Sequence, residues 1–214
     1  MVVKIWLFNN KKHPKVLSNN EEVIFSQLSK IKAKKFLLSR SCIRIAMGLH
    51  FNADPKTIYL EFITNKAPAL KKECGYLSTS YCKDAFLVGW SDKKLGIDIE
   101  NKERQIISFD ILRRFFKKEE ILKILSKRNQ SHNDFLKSWV IKEALIKYSG
   151  LNIWRDSKDF IWNQKENLGI NTNRDLKVKV EQIRFMKWEL ALASNNLSNC
   201  FPIICYEKFQ NDNF

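Results

Sequence analysis

The alternation of apolar and polar positions divides the chain into short strands and several helical stretches. Residues 2–8 read as a strand. Ser18 and Glu21 have the spacing of a capping box and predict a helix to about Leu28. A second helix is predicted from about Ile31 to Met47, stopped by Gly48. Ile58–Phe62 reads as a strand. Ala85–Trp90, the turn Ser91-Asp92-Lys93-Lys94 and Leu95–Glu100 read together as a β-hairpin. Phe109–Leu125 and Phe135–Tyr148 carry helical periodicity, the second ended by Ser149-Gly150. Four alternating segments complete the pattern, near Asp159–Gln164, Leu176–Ile183, Lys187–Ser194 and Cys200–Tyr206, and read as an antiparallel sheet.

Two of these stretches carry candidate chemistry. In Gly96-Ile97-Asp98-Ile99-Glu100 the isoleucines point to one face of a strand and the two acids to the other. Side chains two apart on a strand stand about 7 Å apart at their bases, so both carboxylates can close on one small cation. Alone, the stretch also fits the solvated outer face of an edge strand. About forty residues on, Trp139, Glu143 and Lys147 recur at i, i+4 and i+8 along one helix face. Glu143 followed by Lys147 also suits a plain helix-stabilising pair.

Together the two stretches resemble the signature pair of the Sfp-type 4'-phosphopantetheinyl transferases, a branch of the holo-acyl-carrier-protein synthase superfamily. That family pairs a G-[IV]-D-[IVL]-E strand with a W-x-x-K-E-[AS]-x-x-K helix, here Gly96–Glu100 and Trp139–Lys147. Arg114-Phe115-Phe116 with Glu120 matches the family's R-F-F-[ST]-x-x-E, with Lys117 in the Ser/Thr place. Tyr76-Leu77-Ser78-Thr79-Ser80 sits where the family has F-N-x-S-H-S, with Thr79 in place of the histidine. Asn65-Lys66-Ala67-Pro68 resembles the G-K-P turn with one residue inserted. After the second helix the family often has G-x-G; here the second glycine is Asn152, a residue that tolerates positive φ. The resemblance spans roughly residues 30–150.

The resemblance implies transfer of the 4'-phosphopantetheine arm of coenzyme A to a serine of an apo-carrier protein, with release of adenosine 3',5'-bisphosphate. It implies Mg²⁺, or Mn²⁺, held by Asp98 and Glu100, with Glu143 as third ligand or as the base for the serine. Lys147 is then a catalytic contact to the pyrophosphate and Lys142 a weaker candidate. Lys35, Arg40, Lys66, Ser78 and Thr79 are implied contacts to the coenzyme. The implied fold is α+β with two similar, pseudo-twofold-related lobes, each a small antiparallel sheet packed on helices. Residues 1–100 would hold the coenzyme A phosphate wall and the Asp-x-Glu strand, and residues 101–214 the W-x-x-K-E-A-x-x-K helix. The active site is expected between the lobes. A chain holding both halves of the site is expected to be a monomer.

Composition adjusts this picture only at the edges. At 214 residues with 44% hydrophobic content, the chain can build one large core or two small ones. Its net charge is +15. Residues 1–100 carry 17 Lys and Arg against 9 Asp and Glu, and the rest 21 against 14, so the excess is no basic tail. Such a field favours an acidic carrier protein. It would also suit nucleic acid, but clustered acids repel phosphate unless metal is bound, and no helix-turn-helix, zinc-finger or RNP signature appears. A metal-dependent nuclease would also use carboxylates and a lysine, but the acid-x-Lys pairing is missing, since Glu100 is followed by Asn101 and Lys102. A family member that has lost activity is a third alternative, given Thr79 and the altered Lys66 turn. The five cysteines are odd in number with no CxxC, which points away from a disulfide or zinc framework and toward a reducing cytoplasm. No signal peptide or membrane-spanning run is expected.

Overall fold

In a computed structural model the protein is described over residues 2–9, 15–61, 67–103, 109–126, 131–195, 197 and 203–206. In chain order the elements are β1 (Val3–Asn9), α1 (Asn19–Ser26), α2 (Lys30–Phe51), β2 (Tyr76–Cys82), β3 (Ala85–Ser91), β4 (Gly96–Asn101), α3 (Phe109–Phe115), α4 (Lys118–Leu125), α5 (Ser131–Ser149), α6 (Ile153–Asp156), β5 (Phe160–Asn163), β6 (Leu168–Asn171), β7 (Leu176–Phe185), β8 (Trp188–Ala193) and β9 (Ile203–Tyr206).

The fold is α+β, built as four layers. Sheet order β2-β3-β1-β9 forms one sheet and β4-β8-β7-β6-β5 the other. The inner faces of the two sheets meet in a core that includes Ile5, Leu7 and Leu87 from the first and Ile97, Ile99, Leu190 and Leu192 from the second. The outer face of the first sheet packs Trp6, Phe86 and Val88 on Ile43, Ala46 and Met47 of α2. The outer face of the second packs Val178, Val180, Ala191 and Ala193 on Val140, Ala144 and Leu145 of α5. Each fully buried Leu, Ile or Phe contributes about 1.5–3 kcal/mol, so these three apolar seams set the relative positions of α5 and β4.

Local signals are realised where a few residues decide them. Ser18 and Glu21 form the capping box that opens α1. α2 runs past Gly48 to Phe51 and closes at Asn52 in the left-handed region, φ 51°. Gly48 makes room instead for a returning chain, because a Cβ there would stand 2.7 Å from Cγ of Pro55. The single helix expected over Phe109–Leu125 is two, broken at Phe116-Lys117. Glu120 accepts from the Lys117 backbone N–H at 2.8 Å, starting α4; lysine has no acceptor to return the favour, so the box is half of one. Asn152 is not in the left-handed region. Its φ is −101°, and its side chain caps α6 by accepting from the Trp154 N–H.

Non-local pairings depart from expectation. β3 and β4 are no hairpin: β3 pairs with β1 and β2, whereas β4 pairs antiparallel with β8. The hairpin is β2–β3, turning at Lys83-Asp84. β6 joins the second sheet as a strand the sequence pattern does not single out. β9 leaves the expected C-terminal sheet and runs parallel to β1. A strand therefore crosses the expected 100/101 division in each direction. Of Ile58–Phe62 only an isolated bridge, Glu61 to Ala69, is formed, with Phe62 and Lys66 outside the described residues.

Candidate active site

Strand β4 is an edge strand, and its alternation puts Ile97 and Ile99 into the core between the sheets. Gly96, Asp98 and Glu100 therefore face α5. Asp98 is 2% exposed. Its Oδ1 accepts from Lys147 Nζ at 2.7 Å and from Ser80 Oγ at 2.6 Å. Its Oδ2 is buried and takes no hydrogen bond from an N–H or hydroxyl group of the described residues, leaving the Glu143 carboxyl, which hydrogen-bonds to Asp98, as its acidic neighbour. Lys147 also stands 3.7 Å from Glu143 Oε2, so one ammonium bridges both carboxylates. The four-residue step from Glu143 to Lys147 stacks them on one helix face.

Burial pushes the Glu143 carboxyl up, the Asp98 charge and a hydrogen bond to Asp98 add to this, and Lys147 opposes it; the outcome is about 8. Glu100 repels Glu143 as well. Across the β4–β8 pair Glu100 stands opposite Glu189, which is 2% exposed and is held by Gln182 and by Arg184 at 3.3 Å. The face thus concentrates negative charge, with Lys147 as the cation against Asp98.

The expected placement between two lobes needs correcting. Asp98 and Glu100 lie on the same sheet that α5 covers, not on a separate lobe from Glu143 and Lys147. The first sheet contributes Ser80, which the sequence reading passed over. A hydroxyl becomes informative only once β2 and β4, the edges of different sheets, are seen to meet.

The remaining candidates fall elsewhere. Ser78 Oγ accepts from the Ile97 N–H at 3.0 Å, closing the free edge of β4. Thr79 points to the opposite side of β2 from Ser78 and Ser80, the side covered by α2. On α2, Lys35 is exposed. Arg40 is 6% exposed, lies 3.6 Å from Glu21 and packs over Phe36. Lys66 is outside the described residues. Lys142 turns away from Asp98: its ammonium is bound by Glu120 at 3.0 Å and by the carbonyls of Ser157 and Phe160. Trp139 packs edge-on to Phe115 in a core of its own.

The oxygens around Asp98 fit a small hard cation. Among the described residues no three His, Cys, Asp or Glu side chains form a ready-made metal cage. Mg²⁺ keeps waters and takes one or two carboxylates plus substrate phosphates, so Asp98 with one neighbouring acid would be enough to hold it. Asp98 Oδ2, buried with no N–H or hydroxyl donor among the described residues, would be the oxygen open to such an ion. No described helix is long and apolar enough to cross a membrane.

No curated protein matches the chain. The family match that exists begins at Lys94, so Lys35, Arg40, Ser78, Thr79 and Ser80 lie before it. Residues 94–194, a little under half of the chain, run from the turn before β4 to just past β8, contain Asp98, Glu100, Glu143 and Lys147, and match the model of the 4'-phosphopantetheinyl transferase superfamily.

Proposed function

We propose that this protein transfers the 4'-phosphopantetheine arm of coenzyme A to a serine of an acidic acyl or peptidyl carrier protein, as an Sfp-type enzyme, acting as a monomer in the cytoplasm. The observation that carries the reading is Asp98: a buried carboxylate with one oxygen held by Lys147 and Ser80 and with the Glu143 carboxyl hydrogen-bonded to it, inside the stretch that matches the superfamily.

In the reaction the serine oxygen forms a bond to the β-phosphorus of the coenzyme's pyrophosphate. The bridging P–O bond breaks, adenosine 3',5'-bisphosphate leaves with the electron pair, and the serine proton goes to a base or to water. Mg²⁺, or Mn²⁺, held by Asp98 with Glu100 or Glu143, would neutralise charge on the pyrophosphate oxygens. Glu143 at about 8 holds its proton at neutral pH and is then no base; a divalent charge beside it would lower it. Glu143 is accordingly either the third oxygen ligand or the acceptor of the serine proton. Lys147 sits within reach of the same carboxylates and can turn its ammonium to a phosphate oxygen when coenzyme binds. Lys35 is free to meet solvent-side phosphates from α2, with Arg40 deeper on the same helix.

The test is incubation with coenzyme A, Mg²⁺ and a panel of apo-carrier proteins, read by mass spectrometry. One phosphopantetheine is expected on a carrier serine, and none with EDTA. A folded protein that modifies no carrier in the panel overturns the proposal.

A further inference from the structure

Strand β2 presents two hydroxyls to the outer edge of β4. Ser78 closes the Ile97 N–H, and Ser80 donates to Asp98 Oδ1. Ser80 and Asp98 are 7% and 2% exposed, so water does not compete freely for this bond. At 2.6 Å it lies in the range of charge-assisted O–H···O⁻ hydrogen bonds. Lys147 takes the same oxygen at 2.7 Å from the other side. Two donors therefore converge on Oδ1, whereas Oδ2 is buried with no N–H or hydroxyl donor among the described residues; the Glu143 carboxyl, which hydrogen-bonds to Asp98, would give way to a cation there. The carboxylate's own torsion is broad, with no strong preference for either oxygen. Lys147, with its side chain 29% exposed on a flexible stem, can swing away. Ser80, on a paired strand and with a one-atom reach, cannot.

We propose that Ser80 is a positioning residue: by holding Oδ1 from β2 it fixes the rotation of the Asp98 carboxylate and directs Oδ2 to the cation. This rests on the reading above that Asp98 binds a divalent cation. Ser80 touches neither cation nor phosphoryl group in this role.

The experiment measures Mn²⁺ binding to the whole chain, with and without coenzyme A, from the free-ion electron paramagnetic resonance signal. It compares wild type, Ser80→Ala, Ser80→Cys, Ser80→Thr and Asp98→Ala. Ser80→Ala should weaken Mn²⁺ by about tenfold or more, the usual loss when a hydrogen bond to a metal ligand is removed. Ser80→Cys keeps the volume with only a weak donor, and should also weaken Mn²⁺. Ser80→Thr should restore binding to within about threefold, because the hydroxyl returns. In transfer assays the deficit of Ser80→Ala should shrink as Mg²⁺ is raised. A merely structural serine would lower the melting temperature and leave the Mn²⁺ Kd of the folded protein unchanged. If Ser80→Ala does not fold, Ser80→Cys decides. Wild-type Mn²⁺ affinity in folded Ser80→Cys overturns the role of Ser80. Wild-type protein that binds Mn²⁺ no better than Asp98→Ala overturns the cation reading itself, and this inference with it.

Discussion

Gly96 lies directly against Ala144: a Cβ on Gly96 would stand 2.0 Å from the Ala144 carbonyl oxygen and 2.4 Å from the backbone nitrogen of Tyr148. Those are main-chain atoms of α5, so they cannot rotate aside. The absent side chain lets β4 and α5 touch, and the touch sets Asp98, two residues along, within 2.7 Å of Lys147. Gly96→Ala should push the helix off the strand. Overpacking costs about 1–3 kcal/mol. Because the clash is with backbone, the loss should fall toward the upper end of that range, with transfer lost as well. Urea unfolding and the carrier-modification assay check both; wild-type values in both would refute the account.

Asp98→Ala and Glu143→Gln should part company in stability, although each is expected to abolish most transfer. Asp98 is the acceptor for Ser80, so its removal leaves a buried hydroxyl unsatisfied, at about 1–3 kcal/mol. Removing one of several repelling acids gives back part of that. Glu143→Gln replaces a carboxyl that must take up a proton on folding at neutral pH with a side chain that is already neutral. Thermal melts in EDTA should rank Asp98→Ala below wild type and Glu143→Gln at or above it.

The pH dependence has a definite sign. Burial and the Asp98 charge raise the Glu143 carboxyl from 4.5 to about 8. Its contribution to stability is fully present below about 4.5 and is lost as pH rises through 8, because the unfolded chain ionises first. Urea midpoints between pH 5 and 9 in EDTA, with Glu143→Gln as reference, isolate this group. The variant should lose less stability than wild type across that window, and parallel curves would contradict the assignment.

How much of this was legible in the sequence depends on how local each decision is. The Ser18–Glu21 box and the face shared by Glu143 and Lys147 involve residues a turn apart, and the pattern contains them. Asp98 and Glu100 were likewise visible as a strand face. The partner of β4 was not: Leu95, Ile97 and Ile99 alternate equally well for β3 or for β8, and the core between the sheets selects β8. The hydroxyl of Ser80 carries no signal until the sheet edges meet. Lys142 and Lys147 look alike in sequence, but five positions apart they lie on different faces, one toward Glu120 and one toward Asp98.

That difference gives a prediction for Glu120 and Lys142. The Lys142 ammonium is nearly sealed; burial lowers its pKa and Glu120 works against that. Glu120→Ala leaves the cation buried without its carboxylate, which typically costs about 3–5 kcal/mol, and also removes the cap on Lys117. Lys142→Met should be milder, because the long apolar stem is kept and Glu120 can still start α4. Neither residue reaches Asp98, so Lys142→Met should retain transfer per folded molecule. Active-site titration combined with unfolding curves would expose any direct role.

Lys147 should behave as competitor and helper at once. Without coenzyme its ammonium sits on Asp98 Oδ1 at 2.7 Å, where its charge opposes a divalent ion at the same carboxylate. Lys147→Met should therefore bind Mn²⁺ more tightly than wild type in the absence of coenzyme A. With coenzyme A the ammonium is expected to turn to the pyrophosphate, and the variant should show a raised KM for coenzyme A and a reduced kcat, since that contact exists in ground and transition states alike. Stability should also fall, because Asp98, 2% exposed, loses the ammonium bound at 2.7 Å and keeps Ser80 alone against its charge, whereas the i,i+4 pair with Glu143 adds only about 0.3–0.5 kcal/mol. A simple helix-stabilising lysine predicts a small stability loss with kcat and KM unmoved. A Lys147→Met protein with wild-type kinetics and unchanged Mn²⁺ affinity would establish that simpler role and remove Lys147 from the site.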